Sequence, residues 1–347
     1  MRERKIRVMH VLNTNQFSGA EKVVIEVINN SSGSFEMYYC SPNGSINKVL
    51  KKNNIKHVEL SSLKSKDSFR KAINSIKPDV IHAHDIRATF FSVLYSKGIP
   101  VISHLHGNSD KMKKISIKSI MYLYSSFFVK HIIAVSNSVL RDYKYSKYIY
   151  KKTSILYNFI DKKNLLNYVN KDKKTYNFDF VYLGRLSFEK NPMKIAEVAA
   201  SILKIDKKVK FAVIGEGPYK NEMENIFRHN GVISQVEFIG FVENPYKILS
   251  TSKFMIMCSK FEGTPMAAIE AIHLKVPIIT YPTDGLNELI VHGKNGFFAK
   301  NDSEFEKYAF RIFNENLQVQ QIENELMNSE KYNEKLEKVY WNAINNK

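Results

Sequence analysis

The chain has 347 residues, 44% hydrophobic and 25% charged, with two cysteines and a formal net charge of +18. This is globular composition, which excludes wholesale disorder, collagen-like structure and coiled coil, and the length suits two domains rather than one. Cys40 and Cys258 are too few for a disulfide framework or a multi-thiolate zinc site, and no apolar run reaches the roughly 18 residues of a membrane span. The apolar run at residues 8–12 is too short for a signal peptide, so a cytoplasmic chain, soluble or peripheral, is expected.

In chain order, the first half alternates short apolar runs with helical patterns. Residues 5–12, 35–40, 79–83, 101–105, 131–135 and 153–156 are its strand candidates. Most are continuously apolar, as are strands of a parallel sheet covered on both faces. Between the first two, Ser18-Gly19-Ala20-Glu21 predicts a helix start with Ser18 as N-cap, followed by Val23, Val24, Val27 and Ile28 on one face. Residues 111–130 begin with Lys111, Lys113 and Lys114 and continue as an apolar, aromatic-bearing helix. Such a segment suits an anionic membrane interface, although Ile120, Leu123 and Phe127 also fit a core.

The polar stretch 167–176 has no apolar period and predicts an interdomain linker. Beyond it residues 178–183, 210–214, 236–239, 254–257 and 276–280 read as strands, each followed by a Gly- or Pro-punctuated turn and a helix. Residues 330–346 predict a last helix, bearing Tyr340 and Trp341, that returns to the first domain. The expected fold is α/β: two doubly wound, Rossmann-like parallel-sheet domains, residues 1–170 and 171–329, facing across a cleft, with 330–347 crossing back. Ligands then belong at the carboxyl ends of the strands.

The charge is local. Residues 1–170 hold 28 Lys and Arg against 11 Asp and Glu, a net +17, and the remainder nets +1. Coding bias alone would spread over both halves, so the asymmetry points to an anionic partner of the first domain. Only nine of the 52 basic residues are Arg, which favours a diffuse anionic surface over base reading. Without a zinc finger, an RNP-type motif or an Arg-rich stretch, a nucleic-acid-binding protein is a distant alternative.

The turns of the second half carry the chemistry. In Phe261-Glu262-Gly263-Thr264-Pro265-Met266-Ala267, Thr264 is the predicted helix cap and Pro265 the first helical residue. The free N–H groups and positive dipole end of that helix suit a phosphate. Glu262, before the helix, and Glu270, within it, are placed to accept hydrogen bonds from hydroxyls flanking a diphosphate, one on a sugar and one on a ribose. A capped amphipathic helix with a solvated Glu is the other reading. Gly184-Arg185-Leu186 with Glu189-Lys190 follows the first strand of this half, where two cations would neutralise a diphosphate and stabilise it as a leaving group. Gly215-Glu216-Gly217-Pro218 and Gly240-Phe241-Val242 are further tight turns that permit close backbone approach to a ligand.

Taken in chain order within residues 184–270, Gly184-Arg185-Leu186 with Glu189-Lys190, Gly215-Glu216-Gly217-Pro218, Phe238-Ile239-Gly240 and the paired Glu262 and Glu270 resemble the nucleotide-binding domain of retaining glycosyltransferases of family 4, which have the GT-B fold. The first half is similar more loosely, through Ser18-Gly19-Ala20-Glu21, His104-Leu105-His106-Gly107, Ala134-Val135-Ser136 and Tyr157-Asn158-Phe159-Ile160-Asp161. Ser18 stands where the family has Gly. The resemblance implies a nucleotide-sugar donor, UDP-linked to a hexose or N-acetylhexosamine. Arg185 and Lys190 then contact the diphosphate, Glu270 the ribose and Glu262 the transferred sugar. Gly263, Thr264, Met266 and Ala267 lie near phosphate and sugar, with Phe241 or Val242 near the base and Glu216 among the donor-binding residues. Gly19 lets the first domain's opening turn approach the phosphates, and His106 faces the reacting centre from the acceptor side, unless it is simply a buried histidine at a strand end.

By the same resemblance the acceptor is a glycan or polyprenyl-diphosphate-linked saccharide in capsule, O-antigen or other envelope polysaccharide assembly, met at the inner face of the membrane through the basic domain. A UDP-sugar epimerase of the same fold is the alternative. No acid in the first-half turns stands out as a nucleophile, Asp85 and Asp110 being candidates by position only, so front-face displacement is the expected route to retention. No cofactor or metal is expected, because Arg185, Lys190 and the helix start supply positive charge and no Asp-x-Asp pair occurs. His82, His84, His104 and His106 share faces of two neighbouring strands in pairs, and a metal site there is the minor reading.

Overall fold

The computed structural model describes residues 4–107, 109–315 and 328–345. The chain forms two compact units, one comprising Met1–Ile160 with Glu325–Lys347 and the other Asp161–Asn324. In the first, β1 (Ile6–Leu12), β2 (Phe35–Ser41), β3 (His57–Glu59), β4 (Val80–His84), β5 (Val101–Leu105), β6 (His131–Ala134) and β7 (Thr153–Ile155) make one sheet, ordered β3-β2-β1-β4-β5-β6-β7. All its pairs are parallel. The apolar runs become strands because helices cover both faces; all five residues of β4 are buried. β3 was not predicted, since it is a short edge strand with Val58 as its one apolar residue.

The helix Gly19–Asn29 follows β1 and buries Val23, Val24, Ile25 and Val27. Ser18 is its N-cap residue in extended backbone, but its hydroxyl donates to Glu21 Oε2 (2.5 Å) rather than capping the helix N–H groups. The returning helix Ser329–Asn345 packs on this unit: Tyr332 lies on Phe159 (ring centroids 4.4 Å apart), Tyr340 on Phe35 (5.5 Å), and the Tyr340 hydroxyl bonds His82 Nδ1 at 2.8 Å. Among the described residues no helix is long and apolar enough to cross a membrane.

In the second unit β8 (Phe180–Leu183), β9 (Phe211–Ile214), β10 (Val236–Gly240), β11 (Phe254–Met257), β12 (Ile278–Thr280) and β13 (Gly296–Phe298) form a sheet ordered β10-β9-β8-β11-β12-β13. Phe211 and Phe254 stack on either side of Phe180, at 4.5 and 5.0 Å, and help anchor its core. β13 escaped the sequence reading because Gly293 and Gly296 mimic a turn, whereas Gly296 is needed for contact: an added Cβ would lie 2.5 Å from Ile278 O.

The units divide between Ile160 and Asp161, not after residue 170, and the stretch read as linker is partly the helix Lys162–Lys171. Asp161 caps it, accepting from the N–H groups of Lys163 (2.8 Å) and Asn164 (3.2 Å). It shows no apolar period because few residues anchor it: Leu165 is buried, and Tyr168 meets Tyr246 at 5.9 Å. The returning helix depends on larger contacts. Tyr332→Ala is expected to cost the first unit about 3 kcal/mol in urea denaturation, as a large buried side chain is lost, while exposed Lys335→Ala stays within about 0.5 kcal/mol.

Candidate functional site

In the second unit the hydrogen bonding of the sheet continues past the strand ends and draws the following turns side by side. Gly184 N–H donates to Ile214 O (3.0 Å), Leu186 N–H to Glu216 O (2.8 Å) and Gly215 N–H to Gly240 O (2.8 Å). Phe241 N–H donates to the Glu216 carboxylate (3.3 Å), joining the turns after β9 and β10. On the other side Lys260 N–H donates to Glu189 O (2.9 Å), and Gly285 N–H to Glu262 O (3.4 Å). Two glycines make this approach possible. Gly215 has φ +137°, and a Cβ there would lie 1.9 Å from Gly184 O; a Cβ on Gly285 would lie 1.5 Å from Gly263 O.

The ladder brings Lys190 to Glu262. Lys190 closes the turn Phe188–Lys190, and its Nζ donates to Glu262 Oε1 at 2.5 Å, with side chains only 20% and 8% exposed. Loss of either partner strands a poorly hydrated charge, so the pair fixes both side chains. Arg185 differs: mostly exposed, it pairs with Glu189 at 2.7 Å, while its carbonyl accepts from the buried Tyr182 hydroxyl (2.7 Å). The helix after β11 is Met266–His273, with Pro265 as its N-cap rather than its first residue. Pro265 O accepts from the N–H groups of Ala268 (3.1 Å) and Ile269 (3.2 Å), which makes it the half-in residue and displaces Thr264 from the cap. Thr264 is buried beside it, and Glu270 is buried within the helix.

Arg185, Lys190, Glu216, Phe241, Val242, Glu262, Gly263, Thr264, Met266, Ala267 and Glu270 therefore all belong to the turns, or the helix, that follow strands of the second sheet. Gly19 and His106 belong to the first unit, after β1 and β5. His106 is not isolated: its Nε2 lies 2.9 Å from His84 Nδ1, and His84 Nε2 lies 2.9 Å from His10 Nδ1. The sequence reading missed His10, whose only signal was a polar residue inside an apolar strand. Burial lowers all five pKa values, those of His10 and His106 to about 3 and those of His82, His84 and His104 well below the usual value, so these imidazoles are neutral. Asp85 is a helix cap with φ +104°, accepting from Ala88 N–H at 2.8 Å, and burial pushes its carboxyl up to about 6.

A second feature of the first unit is the helix Ile117–Phe128. Ile117, Ile120, Tyr124, Phe127 and Phe128 are exposed, Ile117 by 89%, while Ser119, Tyr122, Ser125 and Ser126 are buried. Ile120 and Phe127 are thus not core. The serines tolerate burial because backbone carbonyls accept from their hydroxyls: Lys114 O from Ser119 (2.8 Å), Met121 O from Ser125 (2.8 Å) and Leu123 O from Ser126 (2.6 Å). The apolar face turns outward beside exposed Lys111, Lys114 and Lys130.

Comparison with known proteins agrees with this division. Residues 19–164 match the family described as Glycosyltransferase Family 4, and residues 166–326 the family described as Glycosyl transferases group 1. A capsular polysaccharide biosynthesis glycosyltransferase, CapH of Staphylococcus aureus, is 26% identical over 292 residues, covering 79% of this chain and 81% of its own. The UDP-Gal:alpha-D-GlcNAc-diphosphoundecaprenol alpha-1,3-galactosyltransferase of Escherichia coli is 24% identical over 261 residues, covering 70% and 67%. Among solved structures, Anabaena Alr3699/HepE in complex with UDP and glucose superposes with a TM-score of 0.81 at 16% identity, over 96% of this chain and 99% of that one.

The ladder of turns yields a stability test. Gly215→Ala forces Gly184 O away and is expected to cost the second unit about 3 kcal/mol in thermal or chemical unfolding. Gly231→Ala, at φ +71° but with nothing within 4 Å, is expected to cost only about 1 kcal/mol.

Proposed function

We propose a donor, an acceptor class and a stereochemical course for this chain, which belongs to the glycosyltransferases of family 4 and has their GT-B fold. It moves a hexosyl or N-acetylhexosaminyl group from a UDP-sugar to a hydroxyl of a lipid-linked glycan during envelope polysaccharide assembly. The observation that carries the reading is the Lys190–Glu262 pair, held where the strand-end turns meet a helix start. The names of the Staphylococcus aureus and Escherichia coli relatives, one capsular and the other acting from UDP-Gal on a diphosphoundecaprenol-linked sugar, support the donor and acceptor classes.

In this reading the diphosphate engages Lys190, the exposed Arg185 and the N–H groups of Met266 and Ala267. As Lys190 turns to phosphate, a Glu262 oxygen is released to accept from a hydroxyl of the sugar, so donor binding itself arms the carboxylate. Glu270 serves the ribose, and Phe241 or Val242 borders the base, with the Glu216 carboxylate holding the Phe241 N–H. The cations stabilise charge that grows on the departing UDP, which is where such groups lower a barrier. The acids of the first unit considered as nucleophiles are otherwise placed: Asp85 is committed to its helix and Asp110 is exposed. Retention then proceeds by front-face attack, with the leaving phosphate oxygen taking the acceptor's proton, and nothing in this route calls for a metal at the diphosphate.

The acceptor is met at a membrane surface. The helix Ile117–Phe128 presents apolar side chains outward next to lysines, the arrangement by which a protein lies in an anionic interface.

Transfer from UDP-sugars to lipid-linked acceptors, read by mass spectrometry well below the melting temperature of each variant, which loss of the buried pair lowers, is expected to fall by about 100-fold or more in Lys190→Ala and in Glu262→Gln. Unaltered turnover would refute the donor site; acceptor-independent conversion of the UDP-sugar would favour the epimerase; and a product of inverted anomeric configuration would overturn the front-face route. On sucrose gradients the chain is expected to float with phosphatidylglycerol vesicles but not phosphatidylcholine ones, and Phe127→Ser with Phe128→Ser to abolish flotation. Equal recovery with either vesicle, or no effect of the double substitution, would contradict membrane docking.

A further inference from the structure

The donor-site reading leaves unexplained why five imidazoles crowd one face of the first sheet. β1, β4 and β5 are neighbours, and their register sets His10 beside His82 and His84 beside His104. His106 follows His104 by two residues and so continues on the same face. Ring nitrogens of His84, His104 and His106 all lie within 4.8 Å of one another. We propose that these three histidines, all in the first unit, form a binding site for a single late first-row divalent ion of the Zn2+ class, which gives His106 a ligand role in place of the acceptor-side role that the family resemblance implies.

The hydrogen bonding around the cluster orients the ligands. When His84 donates from Nε2 to His10 Nδ1, 2.9 Å away, its Nδ1 lone pair is left facing His106 Nε2, also at 2.9 Å. A ligating imidazole that donates its second N–H to an outer partner is the usual way a metal-binding tautomer is fixed. His104 has no hydrogen-bond partner on either ring nitrogen, and His106 has none on Nδ1. Buried nitrogens left in this state are costly, by about 1–3 kcal/mol each, and a shared ion would satisfy one nitrogen of His104, leaving its other nitrogen and His106 Nδ1 each as an N–H. On the far side of the cluster His82 is held by the Tyr340 hydroxyl at 2.8 Å, so the returning helix braces the row.

The donor set selects the ion. Three neutral imidazoles without a carboxylate suit Zn2+, Cu2+ or Ni2+, whereas Mg2+ and Ca2+ require oxygen ligands. Zinc–nitrogen bonds of about 2.0–2.1 Å place tetrahedral ligand atoms about 3.3 Å apart. The gap between His84 and His106 therefore needs to open by only about 0.4 Å from its 2.9 Å. His106 is the partly exposed member and supplies the entry side and a fourth position for water.

The test uses the untagged full chain, stripped with chelator and titrated with ZnCl2 by calorimetry, with metal content measured after desalting. One Zn2+ per chain is expected, with a raised melting temperature, and Co2+ in its place is expected to give the visible bands of a four-coordinate site that Zn2+ abolishes. His104→Gln and His106→Gln should each weaken Zn2+ by at least about 100-fold, His10→Gln by about 10-fold, and exposed His229→Gln should change nothing. A wild-type chain that retains no Zn2+, or His104→Gln and His106→Gln chains that retain it as wild type does, would overturn the site.

Discussion

The carboxyl-end hydrogen bonds of the second sheet are the constraint on which the candidate site depends. A parallel sheet ends in unpaired N–H and C=O groups, and here Gly184, Leu186 and Gly215 carry the pairing on into the turns. The residues that matter are therefore not gathered by their own attractions. Lys190 and Glu262, 72 positions apart, meet because their backbones are already placed by the strands and by glycines that let one turn lie against the next. Precision of this kind is what a site needs when binding energy has to be spent on orienting a reactive bond.

Much of this was legible in the sequence because parallel sheets write themselves as apolar runs. Eleven strands were anticipated, from residues 5–12 to 276–280. What escaped were elements stabilised by tertiary contact alone: β3, with one apolar residue at an edge, and β13, whose Gly296 looks like a turn until its closeness to Ile278 is seen. The helix Lys162–Lys171 was hidden for the same reason, since it rests on Leu165 and Tyr168 rather than on a full stripe. The site was legible residue by residue, through cations and glutamates in punctuated turns. Its pairing was not, because nothing in spacing says that Lys190 takes Glu262 while Arg185 takes Glu189. His10 was missed because a histidine in a buried strand gains meaning only from the strands beside it.

The charge asymmetry gains a physical setting from the helix Ile117–Phe128. A net +17 over residues 1–170 is a diffuse field, useful for bringing a protein to an anionic surface and poor at specifying how it sits there. In the membrane-docking proposal, exposed Ile117, Phe127 and Phe128 would supply the missing orientation. Burying serines to free those side chains reverses normal helix amphipathicity, and the hydroxyls make it tolerable by bonding to local backbone carbonyls. In the proposed function each half solves a different problem: the first would find an interface by charge and apolar contact, and the second would hold a small anionic donor by a few fixed groups.

A nucleotide diphosphate seated on the strand-end turns of the second unit would cover their backbone N–H groups, and amide hydrogen exchange with and without UDP reads that cover. UDP is expected to slow exchange most strongly in residues 184–191, 215–218, 240–242 and 262–268. Exchange unchanged in those segments at saturating UDP, or protection confined to the first unit, would contradict that seating.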